Sequence, residues 1–104
     1  MSQGKTRIAI FGSAGRMGQA IANAADHAGC THAGIDIGGD AAALAKISDV
    51  IVDFSAPDAL AAHLAAARLA GTPIVIGTTG LDDTHQAMID DAAKEIAKIG
   101  RAHV

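Results

Sequence analysis

Three glycines spaced three residues apart follow the first apolar segment of the chain. Gly12–Gly18 reads Gly-Ser-Ala-Gly-Arg-Met-Gly and lies between a predicted strand, Arg7–Phe11, and a predicted helix that begins at Gly15. Glycines in such a loop allow a sharp turn, let backbone amides approach a diphosphate, and let the helix pack on the sheet. The helix N-terminus adds unpaired N–H donors and partial positive charge. The pattern therefore predicts a phosphate loop; the alternative is a tight turn without a ligand.

Two charged residues extend this prediction. Arg16 lies in the first turn of the predicted helix, where its guanidinium could reach a phosphate. Asp36 follows Gly12 by 24 residues and ends the second predicted strand, where a carboxylate accepts hydrogen bonds from the ribose hydroxyls of a dinucleotide. It would repel a 2′-phosphate, and residues 37–39 supply no Arg or Lys. Charge therefore favours NADH over NADPH, unless Asp36 is a solvated turn residue.

Along the rest of the chain, short apolar runs alternate with segments whose apolar residues have helical spacing. The apolar runs are too short for helices and read as buried strands, which is typical of a parallel sheet covered on both faces. We therefore predict an α/β fold: a Rossmann-like doubly wound parallel sheet of about four strands, with helices on both faces, incomplete at the C-terminus. The predicted strands are 7–11, 31–36, 49–54 and 73–77, and the predicted helices are 15–28, 41–46, 55–70 and 82–97.

The composition excludes several classes of protein. Half of the 104 residues are hydrophobic, the net charge is −3, and there is one cysteine. Disordered chains, nucleic-acid modules and disulfide scaffolds need different compositions, and no apolar run is long enough to span a bilayer. We expect a cytoplasmic globular domain with no nucleic-acid or membrane partner.

Three motifs in order resemble one family. They are Gly12–Gly18, then Asp49–Pro57 with the sequence Asp-Val-Ile-Val-Asp-Phe-Ser-Ala-Pro, then Gly77–Gly80 with the sequence Gly-Thr-Thr-Gly. Together they resemble 4-hydroxy-tetrahydrodipicolinate reductase, an NAD(P)H-dependent enzyme of diaminopimelate and lysine biosynthesis. The resemblance implies a diphosphate loop, a ribose-binding carboxylate at Asp36, and a loop beside the nicotinamide whose threonine hydroxyls could orient a carboxamide or a carboxylate. The cofactor-binding residues implied are Gly12, Ser13, Ala14, Gly15, Arg16, Met17, Asp36, Phe54, Gly77, Thr78 and Thr79.

The resemblance also implies what the chain lacks. In the family a separate domain with a His-His-x-x-Lys signature binds the cyclic imine or enamine dicarboxylate and supplies the acid, and this signature is absent here. We therefore assign no catalytic residue and expect residues 1–98 to be the dinucleotide-binding part of a homo-oligomeric parent, inactive by themselves. Two alternatives stay open: a stand-alone NAD(H)-binding sensor module, and the N-terminal domain of another amino-acid-pathway dehydrogenase.

Residues 99–104 are interpreted as a non-native tail. Their sequence, Ile-Gly-Arg-Ala-His-Val, is what the first bases of a widely used sequencing-library adapter encode. The alternative is a frayed helix end. A fifth strand is not expected, because no apolar run follows Ala97.

The remaining polar residues receive no functional role. The five histidines lack metal-ligand spacing, so no metal site is predicted. We expect His63 and His85 to be solvated or half-buried on helices, and Cys30 to be a small buried apolar residue. Asp53 ends an apolar strand and could be functional, but capping or loop hydrogen bonding explains it as well.

Overall fold

Strands and α-helices alternate along residues 5–36, 39–96 and 98–101, which are the residues described by the computed structural model. None of the helices in this part of the chain combines the length and the apolar character needed to cross a bilayer. A short 3₁₀ turn, Pro57–Ala59, precedes the third α-helix. The elements are β1 Arg7–Phe11, α1 Arg16–Ala28, β2 Thr31–Ile35, α2 Ala41–Lys46, β3 Val50–Asp53, α3 Leu60–Ala70, β4 Ile74–Ile76, α4 Asp83–Ala92 and β5 Ile99–Arg101.

The strands form one parallel sheet in the order β2-β1-β3-β4-β5. Phe11 at the end of β1 pairs with Ile35 on one side and with Asp53 on the other, and Asp53 in turn pairs with Ile76. Because these four residues end their strands in register, the loops that follow β1, β2, β3 and β4 all lie at one edge of the sheet. The prediction of a Rossmann-like α/β fold is confirmed.

The helices cover both faces of the sheet. Across the sheet, the step from β1 to β2 runs in one direction. The steps from β2 to β3, from β3 to β4 and from β4 to β5 run in the other. Since parallel crossovers are right-handed, α1 lies on one face, while α2, α3 and α4 lie on the other. The strand order reverses between β1 and β3, and open α/β sheets bind their ligands at the crevice outside such a reversal.

The main core lies between the sheet and the face formed by α2, α3 and α4. Phe11 and Ile51 point into it from the strands and are fully buried. Alanines of the three helices, including Ala45, Ala67 and Ala92, are also fully buried, and their small side chains let the helices lie close to the sheet. Burying a residue such as Leu64 contributes roughly 1.5–3 kcal/mol.

Two predictions near the C-terminus are wrong. A fifth strand is present, because the Lys98 carbonyl accepts a hydrogen bond from the Ile74 amide and Ile99 pairs with Ile74. Strand β5 is short, Ile99–Arg101, and includes Gly100. It lies at the edge of the described sheet, where it pairs with β4 alone. Helix α4 ends at Ala92, whereas the predicted end, Ala97, lies outside the described residues. The non-native origin of residues 99–104 stays a prediction, and residues 102–104 also lie outside the described part.

Candidate functional site

The loop after β1 turns sharply at Gly12. Its φ is +89°, and a Cβ there would lie 2.7 Å from the carbonyl oxygen of Phe54. Both the conformation and the close approach favour glycine. The amides of Gly12 and Ser13 donate to the carbonyl of Ile35 at 2.9 and 3.3 Å. These bonds hold the loop against the end of β2, and the predicted turn is confirmed.

Helix α1 begins directly behind this loop. Gly15 is its N-cap, and no side chain caps the helix. A Cβ on Gly15 would meet only the Gly12 carbonyl oxygen, at 3.5 Å, so its surroundings are open. At Gly18 a Cβ would lie 2.3 Å from the same oxygen, which means that a side chain would push the helix away from the loop. Arg16 and Met17 are exposed in the first turn, whose amides have no intrahelical partner.

The carboxylate of Asp36 binds this loop. Its Oδ2 accepts hydrogen bonds from the Ala14 amide at 3.0 Å and from the Ser13 hydroxyl at 3.2 Å, and its Oδ1 lies 3.3 Å from the Ala14 nitrogen. Asp36 therefore lies beside the loop, which is where a ribose-binding group is needed. It also binds the Ala14 amide, which belongs to the loop predicted to bind a diphosphate.

The loop after β4 is held against the turn after β3. The Gly77 amide donates to the Asp53 carbonyl at 2.8 Å, and the Thr78 hydroxyl donates to the same oxygen at 3.3 Å. A Cβ on Gly77 would lie 2.1 Å from the Phe54 ring, so this glycine permits the ring to pack on the backbone. The Thr78 hydroxyl, predicted to orient a ligand, thus binds the backbone, whereas Thr79 is exposed.

A cavity of about 490 Å³ opens between the loops after β1, β2 and β3. It lies where the strand order reverses, and its lining is mostly apolar. The predicted cofactor residues that line it are Gly12, Gly15, Asp36 and Phe54. The predicted residues outside the lining are Ser13, Ala14, Arg16, Met17, Gly77, Thr78 and Thr79.

Asp53, Ser55 and His63 form a polar cluster at the wall of this cavity. The Asp53 side chain is fully buried and that of His63 is 11% exposed. One carboxylate oxygen accepts hydrogen bonds from the Ser55 amide at 3.0 Å and from the Ser55 hydroxyl at 2.5 Å, and the other lies 2.9 Å from His63 Nδ1. The cluster therefore fixes the turn that carries Phe54.

The prediction that His63 is solvated or half-buried is wrong. Leu60, Leu64 and Ala67 form the inward face of α3, and His63 continues it at a spacing of three residues from Leu60 and four from Ala67. That spacing was the signal available in the sequence. No side chain caps the helical segment that begins at Pro57, and the Ser55 hydroxyl bonds to Asp53.

This cluster lacks the geometry of a nucleophilic triad. In such a triad one ring nitrogen of the histidine binds the carboxylate while the other binds the serine. Here His63 Nδ1 faces both partners, at 2.9 Å from Asp53 and 3.1 Å from the Ser55 hydroxyl. Ser55 donates its proton directly to Asp53, so His63 cannot act as its general base in this arrangement.

Other features of the described residues do not form a second site of comparable chemistry. A second cavity, of about 660 Å³, lies near the amino ends of β3 and β4 and is lined mainly by apolar residues such as Val50, Ile74 and Ile99. The described residues contain no group of three or more His, Cys, Asp or Glu side chains placed to hold a metal.

Two single residues were also given an expected burial. Cys30 is partly exposed, not buried as expected, and His85 is half-buried as expected.

The chain is similar to known proteins over most of its length. A family model described as "Dihydrodipicolinate reductase, N-terminus" matches residues 23–102. A protein of Acidiphilium cryptum named 4-hydroxy-tetrahydrodipicolinate reductase is 46% identical over 97 residues, which cover 92% of this chain and 39% of that protein. Proteins of the same name from Zymomonas mobilis and Alkalilimnicola ehrlichii are 39% identical over 105 residues and 37% identical over 116 residues.

Each match covers most of this chain but less than half of the relative. The Zymomonas match spans 93% of this chain and 41% of that protein, and the Alkalilimnicola match spans 88% and 43%. The chain thus spans about two fifths of the length of the curated relatives that it matches.

Proposed function

Because the chain belongs to the family of dihydrodipicolinate reductase N-terminal domains, we propose that it binds a nicotinamide dinucleotide at the carboxyl edge of its sheet. The observation that carries the proposal is the meeting of the glycine loop with Asp36, whose carboxylate lies 3.0 Å from the Ala14 amide. A dinucleotide needs an anion-binding loop for its diphosphate and a nearby carboxylate for the adjacent ribose.

The residues present fit such a cofactor. Gly15 leaves open space in front of the first turn of α1, so backbone amides can approach a diphosphate closely. The Arg16 guanidinium adds a formal positive charge there. The Asp36 carboxylate would exchange its bonds to the loop for bonds to ribose hydroxyls. Its negative charge supports NADH as the preferred cofactor over NADPH.

The nicotinamide is proposed to lie toward the loop after β4. Gly77 has no side chain to obstruct this loop, and its amide is held by the Asp53 carbonyl at 2.8 Å. The Phe54 ring occupies the space beside Gly77 that a side chain would need. When bound, the nicotinamide supplies a hydride, and this chain contributes its binding and orientation.

The intact parent is proposed to reduce a cyclic imine or enamine dicarboxylate in diaminopimelate and lysine biosynthesis, as a cytoplasmic homo-oligomer. This substrate class follows from the names of the relatives and from the resemblance of the motifs. The acid and the carboxylate-binding groups of that reaction are assigned to a domain that the 104 residues do not contain. We therefore propose that the chain by itself binds the cofactor without turnover.

Calorimetric titration of the purified chain with NADH tests this proposal. A saturable heat with one molecule bound per chain is expected, together with a weaker heat for NADPH. Absence of saturable binding to either dinucleotide would contradict the proposed function, as would turnover of the dicarboxylate substrate at the rates of the intact relatives.

A further inference from the structure

One polar side chain at the apolar part of the 490 Å³ cavity, His63, makes its hydrogen-bonding contacts through only one of its two ring nitrogens. Small or apolar residues form this part: Ile35, Gly39, Ala41, Ala59 and Ala62. Of the polar lining residues, Asp36 bonds to the glycine loop and Ser55 bonds to Asp53. His63 also lines the cavity, and both of its hydrogen-bonding contacts use the same ring nitrogen, Nδ1.

The orientation of the His63 ring is fixed on two sides. Nδ1 lies 2.9 Å from the fully buried carboxylate of Asp53, which already receives the hydroxyl proton of Ser55 on its other oxygen. The Phe11 ring packs against the imidazole, with centroids 4.5 Å apart and planes inclined by 50°. A carboxylate accepts hydrogen bonds, so Nδ1 must carry the proton that it shares with Asp53.

The second ring nitrogen of His63, Nε2, is accessible, and His63 lines the cavity. Among the described residues, no enclosed side-chain nitrogen or oxygen lacks a hydrogen-bond partner. Nε2 makes no hydrogen bond to the residues that the structure describes, so it is not enclosed, and the cavity that His63 lines lies beside the ring. A ring whose single proton is on Nδ1 presents the lone pair of Nε2 as a hydrogen-bond acceptor.

We propose that His63 Nε2 recognises the amino group of a nucleobase bound among these alanines. The inference rests on the proposed function, because an adenine-containing dinucleotide supplies such a group. A flat base suits a narrow apolar pocket with one oriented polar group. An acceptor in this position favours a 6-amino purine, which donates, over a 6-oxo purine, which presents an oxygen to the same nitrogen. Asp53 then acts as a positioning residue, because it fixes the tautomer of His63.

The test compares NADH with reduced nicotinamide hypoxanthine dinucleotide, in which an oxo group replaces the amino group of the purine. The full chain is titrated with each by calorimetry, as wild type and as His63→Asn. Asparagine places an amide nitrogen near the position of Nδ1, so it can still donate to Asp53 while it removes Nε2. His27→Asn is the matched control, because His27 lies on α1 and its Nδ1 bonds to the Asn23 carbonyl, away from the cavity.

The wild type and His27→Asn are expected to bind NADH about tenfold more tightly than the hypoxanthine analogue, a typical effect of losing one buried hydrogen bond. His63→Asn should bind both compounds equally, with the weaker affinity. Equal affinities in the wild type, or discrimination that survives in His63→Asn, would overturn the inference while leaving dinucleotide binding intact. Absence of any binding to the wild type would overturn the proposed function and the inference together.

A second measurement keeps the inference falsifiable if His63→Asn does not fold. The ¹⁵N resonance of His63 Nε2 in the wild type reports whether this atom accepts a hydrogen bond. It should move toward lower frequency when NADH binds and should not do so with the hypoxanthine analogue. An Nε2 resonance that responds identically to both compounds would contradict the assignment.

Discussion

The Asp36 carboxylate accepts a hydrogen bond from the Ala14 amide at 3.0 Å, so the acidic end of β2 and the loop after β1 are joined. The Ser13 hydroxyl adds a second bond to the same oxygen at 3.2 Å. A dinucleotide that binds here must replace the first of these bonds by a phosphate contact. Asp36 therefore both prepares the position of the loop and competes for one of its amides.

Replacing Asp36 by alanine should change cofactor choice. The variant loses the ribose contact, so its affinity for NADH should fall about tenfold, and it also loses the charge that repels a 2′-phosphate. The ratio of NADPH to NADH affinity should therefore rise. Fluorescence titration with both dinucleotides measures this ratio. Asp40→Ala is the control, because Asp40 caps α2 outside the cavity lining and its removal should leave the ratio unchanged.

Arg16 is expected to contribute to affinity without contributing to folding. It is exposed in the first turn of α1, so Arg16→Gln should leave the melting temperature unchanged and weaken NADH binding about tenfold. The loss should shrink as salt is added, because the contact is electrostatic. Lys94→Gln is the matched control, since it removes the same charge from an exposed position at the end of α4. Equal losses in the two variants would contradict a specific phosphate contact.

Gly18, which lies in α1, and Gly29, which follows this helix, should respond differently to replacement by alanine. In Gly18→Ala the new Cβ would lie 2.3 Å from the Gly12 carbonyl oxygen, so the loop must move and NADH binding should be lost. In Gly29→Ala nothing lies within 4 Å, but φ is +77°. That variant should lose about 1 kcal/mol of unfolding free energy and keep its affinity. Urea unfolding and NADH titration separate the two effects, and unchanged affinity in Gly18→Ala would contradict the account of the loop.

The start of α4 should give stability a specific dependence on pH. The pKa of Asp82 lies below its ordinary value of 3.8, first because the His85 backbone amide donates to the carboxylate. The Asp82 amide in turn donates to His85 Nδ1, which completes a capping box at the start of α4. A lowered pKa means that the stabilisation is present above about 3.8 and is lost as pH falls through the folded-state pKa.

Thermal melts from pH 6 to pH 2 test this sign. Asp82→Asn keeps a capping oxygen but does not titrate, so its melting temperature should converge with that of the wild type at low pH. Asp82→Ala should melt below both variants at pH 6. If the melting temperatures of the wild type and Asp82→Asn differ by the same amount at every pH, this result would contradict the role of the carboxylate.

Much of the fold followed from the sequence because local signals agreed with the tertiary arrangement. Gly29 and Gly71 end their helices with φ values of +77° and +69°, as glycines after helical spacing indicate. The Asp40 side chain caps α2 by accepting from the Ala43 amide at 3.0 Å. The fifth strand was missed because three residues at a sheet edge carry little periodic signal, and their pairing with β4 is decided by the sheet.

The site was predictable in its backbone and less so in its side chains. The turn at Gly12 and the approach of Asp36 to the loop follow from glycine spacing and from the position of a strand end. The buried partnership of Asp53 with His63 joins residues ten positions apart, and only the packing of α3 on the sheet brings them together. The Thr78 hydroxyl was assigned to a ligand because sequence alone does not show that the Asp53 carbonyl lies within 3.3 Å.

The binding position itself can be mapped residue by residue. Backbone amide resonances of the chain, followed during titration with NADH, report which residues meet the cofactor. The proposed function predicts that the largest changes fall on residues 12–17, on Asp36 and on residues 77–79, and that Val50 and Ile99 beside the other cavity stay unchanged. Changes confined to that second cavity, or no saturable changes at the glycine loop, would contradict it.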